Sequence, residues 1–570
     1  MEPRDWHRHY DPGVPPSIDY EELTLPAALR RSSTRHGERP ALVFQGTVVR
    51  YAELQRLVDR TASALAATGV APGSRVAIQL PNSPQTVIAF CAVLSLGAQA
   101  VLTNPMYTED EIEHQWTDAQ VSHAFVLDAG WKERLPAMAG RVPVKHWIVC
   151  SIPDLFPWWK RTVARVLLAR RRPPLVARIP EREGVVSFRT LLARGSDAPR
   201  TDRAQLGEVA MLQYTGGTTG RAKGAMLTHR NLSRGCQQLV AWLTSLEHGR
   251  DVFLAALPYF HVFGLTVCLD LPLWIGGAIV LVPDPRDTAG LLALIERHRV
   301  SVLALVPAMF GAMARLPDVE RYDLRSVKGC FSGSAPLTRE TLERFEQLTG
   351  GRIFEGYGLT ETTAATHVNP VLGDRRIGTV GLPLPDTDAR IVAADDASVE
   401  LPVGGEGELL LAGPQVMAGY WNRPEDTAAS LRDGWFLTGD LASRDADGYF
   451  RIVGRKKEMI VVGGYKVFPD EVDHVLGGHP AVLEAATIGV PDVKSGESVK
   501  SFVVRRPGAS VTEAELVAFA RQHLAAYKVP RELEFRATLP RSSVLKVLRR
   551  ELLRQELARR AELAGGPGKA

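Results

Sequence analysis

Between residues 251 and 356 the chain alternates short apolar runs with amphipathic segments, and this pattern restricts the fold more than any other feature. The apolar runs have the length of buried strands: Val252–Leu257, Ala278–Val282, Val302–Val306 and Val327–Ser332. The segments Ala289–His298 and Thr338–Leu348 have the spacing of amphipathic helices. Apolar strands separated by helices indicate a parallel sheet covered on both faces. Residues 41–128 repeat the alternation through Arg75–Gln79 and Ala124–Leu127, so we predict two α/β layers.

Size and composition narrow the class of protein further. At 570 residues the chain exceeds what one hydrophobic core usually supports, so we expect at least two domains. A net charge of +4 gives no indication of nucleic-acid binding. Five scattered cysteines without a Cys-x-x-Cys pair argue against a disulfide framework or a zinc site and favour a reducing compartment.

The apolar stretch 86–102 is the nearest approach to a membrane span. It lies at the short end of the spanning range, and Gly97 divides it, so we interpret it as a buried helix that runs into a buried strand. The first twenty residues carry charges and no apolar run, which argues against a cleavable secretion signal. We therefore expect a soluble cytoplasmic protein.

Residues 215–224 read Thr-Gly-Gly-Thr-Thr-Gly-Arg-Ala-Lys-Gly and suit an anion. Glycine allows backbone N–H groups to approach a phosphate closely, and the threonine hydroxyls and Lys223 add donors and a charge. It is not a Walker A loop, because Ala222 precedes Lys223 and Gly224 follows it. A flexible surface turn is the alternative, but the density of glycine, threonine and lysine favours a phosphate-holding loop.

Further stretches match the motifs of one family in the expected order. They are Leu-Pro-Tyr-Phe-His-Val-Phe-Gly at 257–264, Gly-Ser-Ala-Pro-Leu at 333–337, Glu-Gly-Tyr-Gly-Leu-Thr-Glu-Thr at 355–362, Thr-Gly-Asp at 438–440, Gly-Arg-Lys-Lys-Glu-Met-Ile at 454–460, and a basic segment around Lys546. With the 215–224 stretch, the chain resembles the adenylate-forming (AMP-binding) enzymes: acyl-CoA synthetases, adenylation domains of peptide synthetases and luciferases. The resemblance runs from about residue 25 to about residue 555.

The resemblance implies an α/β fold in two domains. The large N-terminal domain, residues 1–453, would consist of layered α/β subdomains with a small β-barrel-like part and would bind AMP and the acyl group. Residues 454–570 would form a small mobile α+β C-terminal domain, with a hinge near Lys457. The two domains would alternate between two half-reactions.

The resemblance also implies an ATP site. Its predicted residues are Thr215, Gly216, Gly217, Thr218, Thr219, Gly220, Lys223, Gly333, Ser334, Ala335, Glu355, Gly356, Tyr357, Gly358, Thr360, Asp440 and Arg455. Glu361 is a hard oxygen ligand suited to Mg²⁺ on phosphate oxygens, and Thr360 can donate to the α-phosphate. Tyr357 offers a ring for adenine, and Asp440 and Arg455 would contact the ribose. A helix-start carboxylate is the structural alternative for Glu361.

By the same resemblance, the catalytic residues are Lys546, Thr360, Glu361 and His261. Lys546 would offset charge on the carboxylate and the α-phosphate. The family usually has glycine before this lysine, whereas this chain has Leu545, and a surface lysine is the alternative. His261 would separate the acyl and nucleotide pockets and position the reactants without acting as a general base; a core histidine is the alternative.

The predicted acyl pocket is apolar, which favours a fatty acid. Its residues are His261, Val262, Phe263, Val306, Met309 and Phe310. The nearest aspartate that could pair with the amino group of a substrate is Asp270, which lies in an apolar run. Coenzyme A would thread past Gly463, Gly464, Tyr465 and Lys466. The chain also resembles bacterial long-chain acyl-CoA synthetases, which implies a long-chain fatty acid–CoA ligase that uses ATP and Mg²⁺ and releases AMP and pyrophosphate. The alternatives are a medium-chain or aryl carboxylate–CoA ligase, a fatty acyl-AMP ligase, and a catalytically silent nucleotide-binding protein.

An insert at residues 155–172 is basic and amphipathic. As a helix after Pro157, it places Trp158, Trp159, Val163, Val166 and Leu167 on one half and most of its cations on the other, while Leu168 and Arg170 fall on the wrong faces. An interfacial helix at the inner membrane face and a surface helix that docks its apolar side on the parent domain both fit. A homodimer is left open.

Overall fold

The structure is a computed structural model that describes residues 4–198, 202–215, 222–282, 284–492, 494–542 and 546–564, with the backbone alone at 563–564. The chain divides into two compact units. The first comprises Met1–Asp388 and Ala412–Gly434, and the second comprises Ala389–Leu411 and Trp435–Ala570. The predicted boundary at residue 453 and the hinge near Lys457 stay predictions.

A mostly parallel sheet forms one layer of the first unit. In spatial order its strands are Leu382–Pro383, His367–Val368, Arg352–Tyr357, Gly329–Ser332, Val302–Leu305, Val252–Ala255, Ala278–Leu281, Pro40–Phe44 and Thr47–Arg50. The central strands are parallel, and antiparallel pairs close both edges. This is the parallel sheet predicted from residues 251–356, with strand ends shifted by one to two residues.

A second sheet forms the other layer predicted from residues 41–128. In spatial order its strands are Val185–Ser187, His146–Cys150, His123–Leu127, Arg75–Gln79, Gln99–Leu102, Val209–Thr215 and Lys223–Thr228. The last two strands pair antiparallel and the others are parallel. Trp116, Trp131 and Trp147 pack together against this sheet, and the ring centroids of Trp116 and Trp131 are stacked 5.4 Å apart.

Helices cover these sheets and connect their parallel strands. The α-helices of the first unit are Leu25–His36, Tyr51–Ala67, Pro84–Ser95, Glu109–Asp118, Asp128–Trp131, Arg134–Met138, Trp158–Ala169, Phe188–Arg194, His229–Trp242, Val262–Leu265, Leu271–Ile275, Thr288–His298, Pro307–Ala314, Arg339–Thr349 and Pro424–Ser430. Shorter elements are the 3₁₀ turns Asp5–His9, Val319–Arg321 and Thr360–Thr362, the π turn Thr266–Asp270, and the strand Leu431–Arg432. Two predicted helices correspond to Thr288–His298 and Arg339–Thr349.

The apolar stretch 86–102 is a buried helix followed by a buried strand, as predicted. Ser83 caps helix Pro84–Ser95 by accepting from the Thr86 amide, and proline begins the helix where an N–H would lack a partner. Every residue of this helix is buried, and Gly97 turns the chain into strand Gln99–Leu102. Among the described helices, none combines the length and the apolar character that spanning a bilayer requires.

The second unit contains two antiparallel-rich sheets. The first has strands Asp388–Val392, Gly407–Ala412, Trp435–Arg444 and Phe450–Arg455. The second has, in spatial order, the antiparallel strands Tyr465–Val467, Ile460–Val462, Gly496–Arg505 and Val482–Asp492, and Glu532–Phe535 pairs parallel with Gly496–Arg505. Helices Pro469–Gly477, Glu513–His523 and Arg549–Ala564 complete the unit. The second sheet carries apolar clusters of its own around Val472, Val503 and Phe502. The predicted α/β fold class, with a large N-terminal part and a small α+β C-terminal part, is confirmed.

Candidate active site

Most predicted site residues of the first unit lie at one edge of its nine-element sheet. Leu305, Ser332 and Glu355 are aligned in register on adjacent parallel strands. Val306 and Gly333 directly follow their strands, Gly356 lies in the last two residues of strand Arg352–Tyr357, and His261 follows the neighbouring strand Val252–Ala255. Since the carboxyl ends of parallel strands open on one crevice, the fold collects these segments in one place.

The turn after strand Arg352–Tyr357 is held in one shape by backbone crowding. A Cβ on Gly358 would lie 1.4 Å from the carbonyl oxygen of Ala364, so this position accepts only glycine. Thr363 and Ala364 take left-handed conformations, with φ of 53° and 79°. These constraints fix the 3₁₀ turn Thr360–Thr362, which presents half-buried Thr360 and Glu361.

Glu361 and Lys223 meet through a residue far away in sequence. The Tyr420 hydroxyl donates to Glu361 Oε1 at 2.7 Å, and the Lys223 ammonium lies 5.3 Å from the centre of the Tyr420 ring. Lys223 also forms an ion pair with Asp426. Burial and the Glu361 carboxylate raise the pKa of Tyr420, which keeps its hydroxyl protonated as a donor. The cation and the carboxylate predicted for phosphate and Mg²⁺ are therefore neighbours.

The glycine–threonine stretch connects two antiparallel strands. Thr215 and Lys223 face each other in register at the ends of strands Val209–Thr215 and Lys223–Thr228. Segment 418–421 pairs along the outer strand, where the Trp421 amide donates to the Gly224 carbonyl at 2.8 Å. The predicted loop residues Gly216, Gly217, Thr218, Thr219 and Gly220 lie outside the described residues.

The predicted adenine-side loop packs closely on its neighbours. Gly333 lets the Phe263 ring approach, since a Cβ there would lie 3.2 Å from the ring edge, and Ser334 has a left-handed φ of 72°. Ala335 follows in the same loop. The Glu355 carboxylate accepts from the backbone amides of Leu337 at 3.3 Å and Gly378 at 3.4 Å, and burial raises its pKa. The Glu355 side chain thus connects Leu337 and Gly378 and stabilises the loop.

Tyr357 stands beside a buried histidine. Its ring centre lies 6.0 Å from that of His367, edge to face. Burial lowers the pKa of His367 to about 3, so the imidazole is neutral at physiological pH. Tyr357 is half-buried, so part of its surface is accessible at the edge of the sheet.

The predicted acyl-pocket residues divide into buried and half-buried groups. His261 caps helix Val262–Leu265, with Nδ1 accepting from the Phe263 amide at 3.3 Å. His261 and Phe263 are half-buried, whereas Val262, Val306, Met309 and Phe310 are buried. The Phe310 ring packs edge to face on Phe345 at 5.0 Å, as a core residue does.

Asp270 is fully buried in the π turn Thr266–Asp270, and burial raises its pKa well above the usual range. Neither carboxylate oxygen has a hydrogen-bond partner among the described residues. Asp270 is therefore a neutral carboxylic acid. It does not supply the negative charge that would pair with the ammonium group of an amino-acid substrate.

In the second unit, the predicted ribose residues form an ion pair. Asp440 and Arg455 are register partners on adjacent strands, and Arg455 Nε lies 3.1 Å from Asp440 Oδ1. Asp440 is 3% exposed. Next to them, Lys456 Nζ contacts Glu408 Oε2 at 2.7 Å, which fixes the turn at Gly439.

Lys546 lies within electrostatic range of this ion pair. Its amide donates to Ser542 Oγ at 3.2 Å and its carbonyl accepts from the Ser542 amide at 2.8 Å. Its side chain keeps solvent contact, yet crowding by protein atoms and the Arg455 charge lower its pKa, against the opposite effect of Asp440. Leu545 lies outside the described residues.

The predicted coenzyme A residues form an exposed hairpin tip. Gly463 and Gly464, with φ of 58° and 86°, join strands Ile460–Val462 and Tyr465–Val467. Tyr465 is exposed and stacks on Tyr527 at 4.8 Å, and Lys466 is exposed as well. Lys457 is exposed on the link between the two sheets of the unit.

Metal binding at this site would rely on one protein carboxylate. No group of three or more histidine, cysteine, aspartate or glutamate ligands occurs in the part of the chain that the structure describes. Mg²⁺ in phosphate-transfer sites usually takes one or two carboxylates together with phosphate oxygens, and Glu361 fits that donor set.

Sequence reasoning missed Tyr420 and Asp426, the partners of Glu361 and Lys223. Their segment reads Gly-Tyr-Trp-Asn-Arg-Pro-Glu-Asp at 419–426. Clustered aromatic and charged residues between Gly419 and Pro424 were an available signal for a functional loop. No local pattern, however, links this segment to the 215–224 stretch.

Comparison with known proteins assigns a family to these features. Residues 29–421 match the family described as AMP-binding enzyme, and residues 471–546 match AMP-binding enzyme C-terminal domain. A long-chain-fatty-acid–CoA ligase of Bacillus subtilis (strain 168) is 37% identical over 97% of this chain and 98% of its own length.

Two solved structures have the same architecture over nearly the whole chain. ATP-bound MatB from Rhodopseudomonas palustris has a TM-score of 0.80 and 31% identity and covers 94% of this chain and 99% of its own. The anthranilate CoA ligase AuaEII in complex with anthranoyl-AMP has a TM-score of 0.83 and 26% identity and covers 95% and 98%.

Proposed function

The chain belongs to the family of AMP-binding enzymes, and from this we propose that it ligates a long-chain fatty acid to coenzyme A through an acyl-adenylate. It is an acid–thiol ligase, and ATP and coenzyme A are its cosubstrates. The similarity to a long-chain-fatty-acid–CoA ligase over 97% of the chain supports a long-chain fatty acid as the substrate.

In the first half-reaction the fatty acid carboxylate attacks the α-phosphorus of ATP. An oxygen–phosphorus bond forms, the bond between the α-phosphorus and the bridging oxygen breaks, and pyrophosphate leaves. Two anions must meet, so catalysis requires cations and donors placed where charge develops. Lys223, with Thr215 and the 216–220 loop, would hold the β- and γ-phosphates. Bound Mg²⁺ would neutralise phosphate charge, and Glu361 would hold it.

The arrangement of Glu361, Tyr420, Lys223 and Asp426 supports this role. The Tyr420 hydroxyl orients the carboxylate at 2.7 Å, and Asp426 holds the lysine ammonium. A phosphate that enters would compete with Asp426 for the cation. Thr360, in the same turn as Glu361, would donate to the α-phosphate.

The nucleoside would lie at the sheet edge. Gly333, Ser334 and Ala335 would pack on adenine from one side, and Tyr357, between Gly356 and Gly358, would offer its ring from the other. Asp440 would accept from the ribose hydroxyls and Arg455 would contact the sugar. Lys546, close to that ion pair, would stabilise charge on the carboxylate and α-phosphate.

In the second half-reaction the sulfur of coenzyme A attacks the acyl carbon. A carbon–sulfur bond forms, the carbon–oxygen bond to AMP breaks, the thiol proton is lost to solvent, and AMP leaves. The hairpin tip Gly463–Lys466 would line the pantetheine path after a rotation about Lys457. Its glycines leave open space, since a Cβ on Gly464 would meet no atom within 4 Å.

An apolar acyl chain suits the residues that would line the pocket. Val262, Phe263, Val306 and Met309 carry no charge, and His261 would stand at the junction with the nucleotide. An aryl acid is the second candidate, because a structure with a TM-score of 0.83 is an anthranilate CoA ligase. We also propose a cytoplasmic enzyme in peripheral contact with the inner membrane face through residues 155–172.

Pyrophosphate exchange with acids of graded chain length tests the substrate. We expect palmitate to support faster exchange than medium-chain acids or a coumarate-type acid, because each buried methylene adds favourable transfer energy. Equal or faster exchange with the coumarate-type acid would reject the long-chain assignment and favour the aryl candidate.

A Lys546→Ala variant tests the catalytic cation. We expect at least about 100-fold slower adenylate formation, because one preorganised charge at the transition state is lost. Transfer of a supplied acyl-adenylate to coenzyme A should survive. Lys494→Ala, an exposed lysine of the same unit, is the matched control. Unchanged rates in both half-reactions would remove Lys546 from the mechanism.

A further inference from the structure

Helix Trp158–Ala169 presents its apolar residues to solvent. Trp158, Trp159, Val163, Val166 and Leu167, here called the outward face, are between 49% and 74% exposed. No residue of this helix is buried. Contiguous apolar surface on a helix of a globular protein usually marks a contact site.

The helix packs on the protein through its other side. At about 100° per residue, Trp159, Val163, Val166 and Leu167 share an arc of about 100°. The opposite side holds the half-buried residues Lys160, Arg161, Ala164 and Leu168. This orientation excludes the alternative in which the apolar face docks on the parent domain, and it explains why Leu168 departs from the amphipathic pattern.

Tethers on the inner side fix this orientation. The Lys160 ammonium donates to the Gln45 carbonyl and to Thr47 Oγ1 at 3.3 Å, and it lies 4.7 Å from the centre of the Phe156 ring. At the other end, the Leu175 amide donates to the Leu168 carbonyl at 3.0 Å. The outward face is therefore held away from the protein body.

Cations flank the outward face. Arg161, Arg165, Arg170, Arg171 and Arg172, here called the arginine cluster, lie in the helix or directly after it, with Arg161 on the inner side. Burial and the charges of Arg189 and Arg165 lower the pKa of Arg161, and Asp154 offsets part of this effect.

We propose that helix Trp158–Ala169 docks this enzyme on an anionic phospholipid bilayer. Tryptophan rings settle at the boundary between headgroups and acyl chains, where one side is apolar and the other is wet. Arginine binds phosphate oxygens with paired donors, and cationic residues add attraction to anionic lipid. This inference identifies the lipid partner of the proposed peripheral contact. It rests on the proposed fatty acid substrate, because long acyl chains partition into bilayers and the enzyme would meet its substrate there.

Co-sedimentation with vesicles tests the proposal on the full chain. The vesicles are phosphatidylcholine alone and phosphatidylcholine mixed with phosphatidylglycerol. We expect the protein to bind the mixed vesicles and to detach as salt is raised. A Trp158→Ser/Trp159→Ser variant should bind at least about tenfold more weakly, because it loses the interfacial rings. Met106→Ser/Leu372→Ser, which removes two equally exposed apolar residues elsewhere, should bind like the parent protein.

Three results would overturn the proposal. They are failure of the parent protein to bind mixed vesicles, equal binding by the tryptophan variant, and equal binding to both vesicle types. A change of oligomeric state in the tryptophan variant, measured by light scattering, would assign the face to a second copy of the chain instead. Adenylation of a water-soluble acid, measured without lipid, should be unchanged in the variant. If the parent protein does not adenylate this acid, that result contradicts the proposed function and leaves the proposal on membrane docking unaffected.

Discussion

At the scale of single residues, the bond between Tyr420 and Glu361 is the contact on which the proposed metal site depends. Tyr420→Phe removes the donor and keeps the ring beside Lys223. A hydrogen bond to a charged group contributes about 1.5–3 kcal/mol, so we expect kcat/KM for ATP to fall about tenfold or more. The Mg²⁺ concentration for half-maximal rate should rise, because the carboxylate loses its orientation.

The control for this variant is Tyr322→Phe, a tyrosine whose hydroxyl accepts from Arg321 at the surface. It should leave the Mg²⁺ dependence unchanged. If Tyr420→Phe also leaves it unchanged, Tyr420 supports the loop without acting on Glu361.

Single functional residues can be predicted from sequence where they are close together in one motif. Gly358 and Glu361 lie in one motif, and the turn that holds them needs glycine because a Cβ would meet the Ala364 carbonyl just beyond the motif. Tyr420 and Asp426 could not be found this way, because they reach Glu361 and Lys223 only through pairing of segment 418–421 with a strand some 200 residues earlier. Sequence spacing carries no information on such a contact.

At the scale of elements, Arg549 connects the C-terminal helix to the rest of the second unit. Its guanidinium contacts Glu458 at 2.9 Å, Asp473 at 2.6 Å and Asp470. Arg549→Met leaves these carboxylates without their shared cation, so we expect the unit to lose about 3 kcal/mol of stability. Adenylation should also slow, because helix Arg549–Ala564 anchors the segment that carries Lys546.

Thermal unfolding and pyrophosphate exchange measure both effects. Arg550→Met, which removes the exposed neighbour, is the control and should match the parent protein. Equal unfolding temperatures for the two variants would show that the carboxylates find other partners.

Elements with a strong periodic pattern were predicted to within about two residues. Strand Arg75–Gln79 has the predicted bounds, and helix Arg339–Thr349 differs from its prediction by one residue at each end because Thr338 is its cap. The insert shows the opposite case. Its helix was predicted correctly, but the direction of its apolar face was not readable, because amphipathicity gives two faces without saying which one packs.

At the scale of the whole molecule, acid should destabilise the first unit. His123 and His146 are register partners whose rings stack at 4.5 Å. Burial and the charge of His146 lower the pKa of His123 from 6.5 to about 4. Between these values the unfolded chain binds a proton that the folded unit refuses, so unfolding free energy falls as pH drops from about 6.5 to about 4. The loss approaches about 3 kcal/mol for this group.

Unfolding temperature measured over this pH range tests the expectation. His123→Gln should flatten the dependence, whereas the exposed His523→Gln should leave it unchanged. His229 and His367, whose pKa values burial lowers to about 4 and about 3, add slopes of the same sign. An unaltered slope in His123→Gln would assign the acid sensitivity to these other groups.

The division of the chain into units was the least predictable property. Segment 389–411 belongs to the second unit although more than twenty residues of the first unit follow it. Strand order within a sheet depends on contacts between distant segments, and hydrophobic periodicity reports only which residues are buried. The family resemblance supplied the fold class that periodicity alone left as two α/β layers.

The interleaved course of the chain has a mechanical consequence. Three covalent connections join the two units, at 388/389, 411/412 and 434/435. Residues 460–570, by contrast, are connected to the preceding sheet by the single backbone segment 456–459. The predicted hinge near Lys457 would therefore require rotation about only the few backbone bonds of this segment.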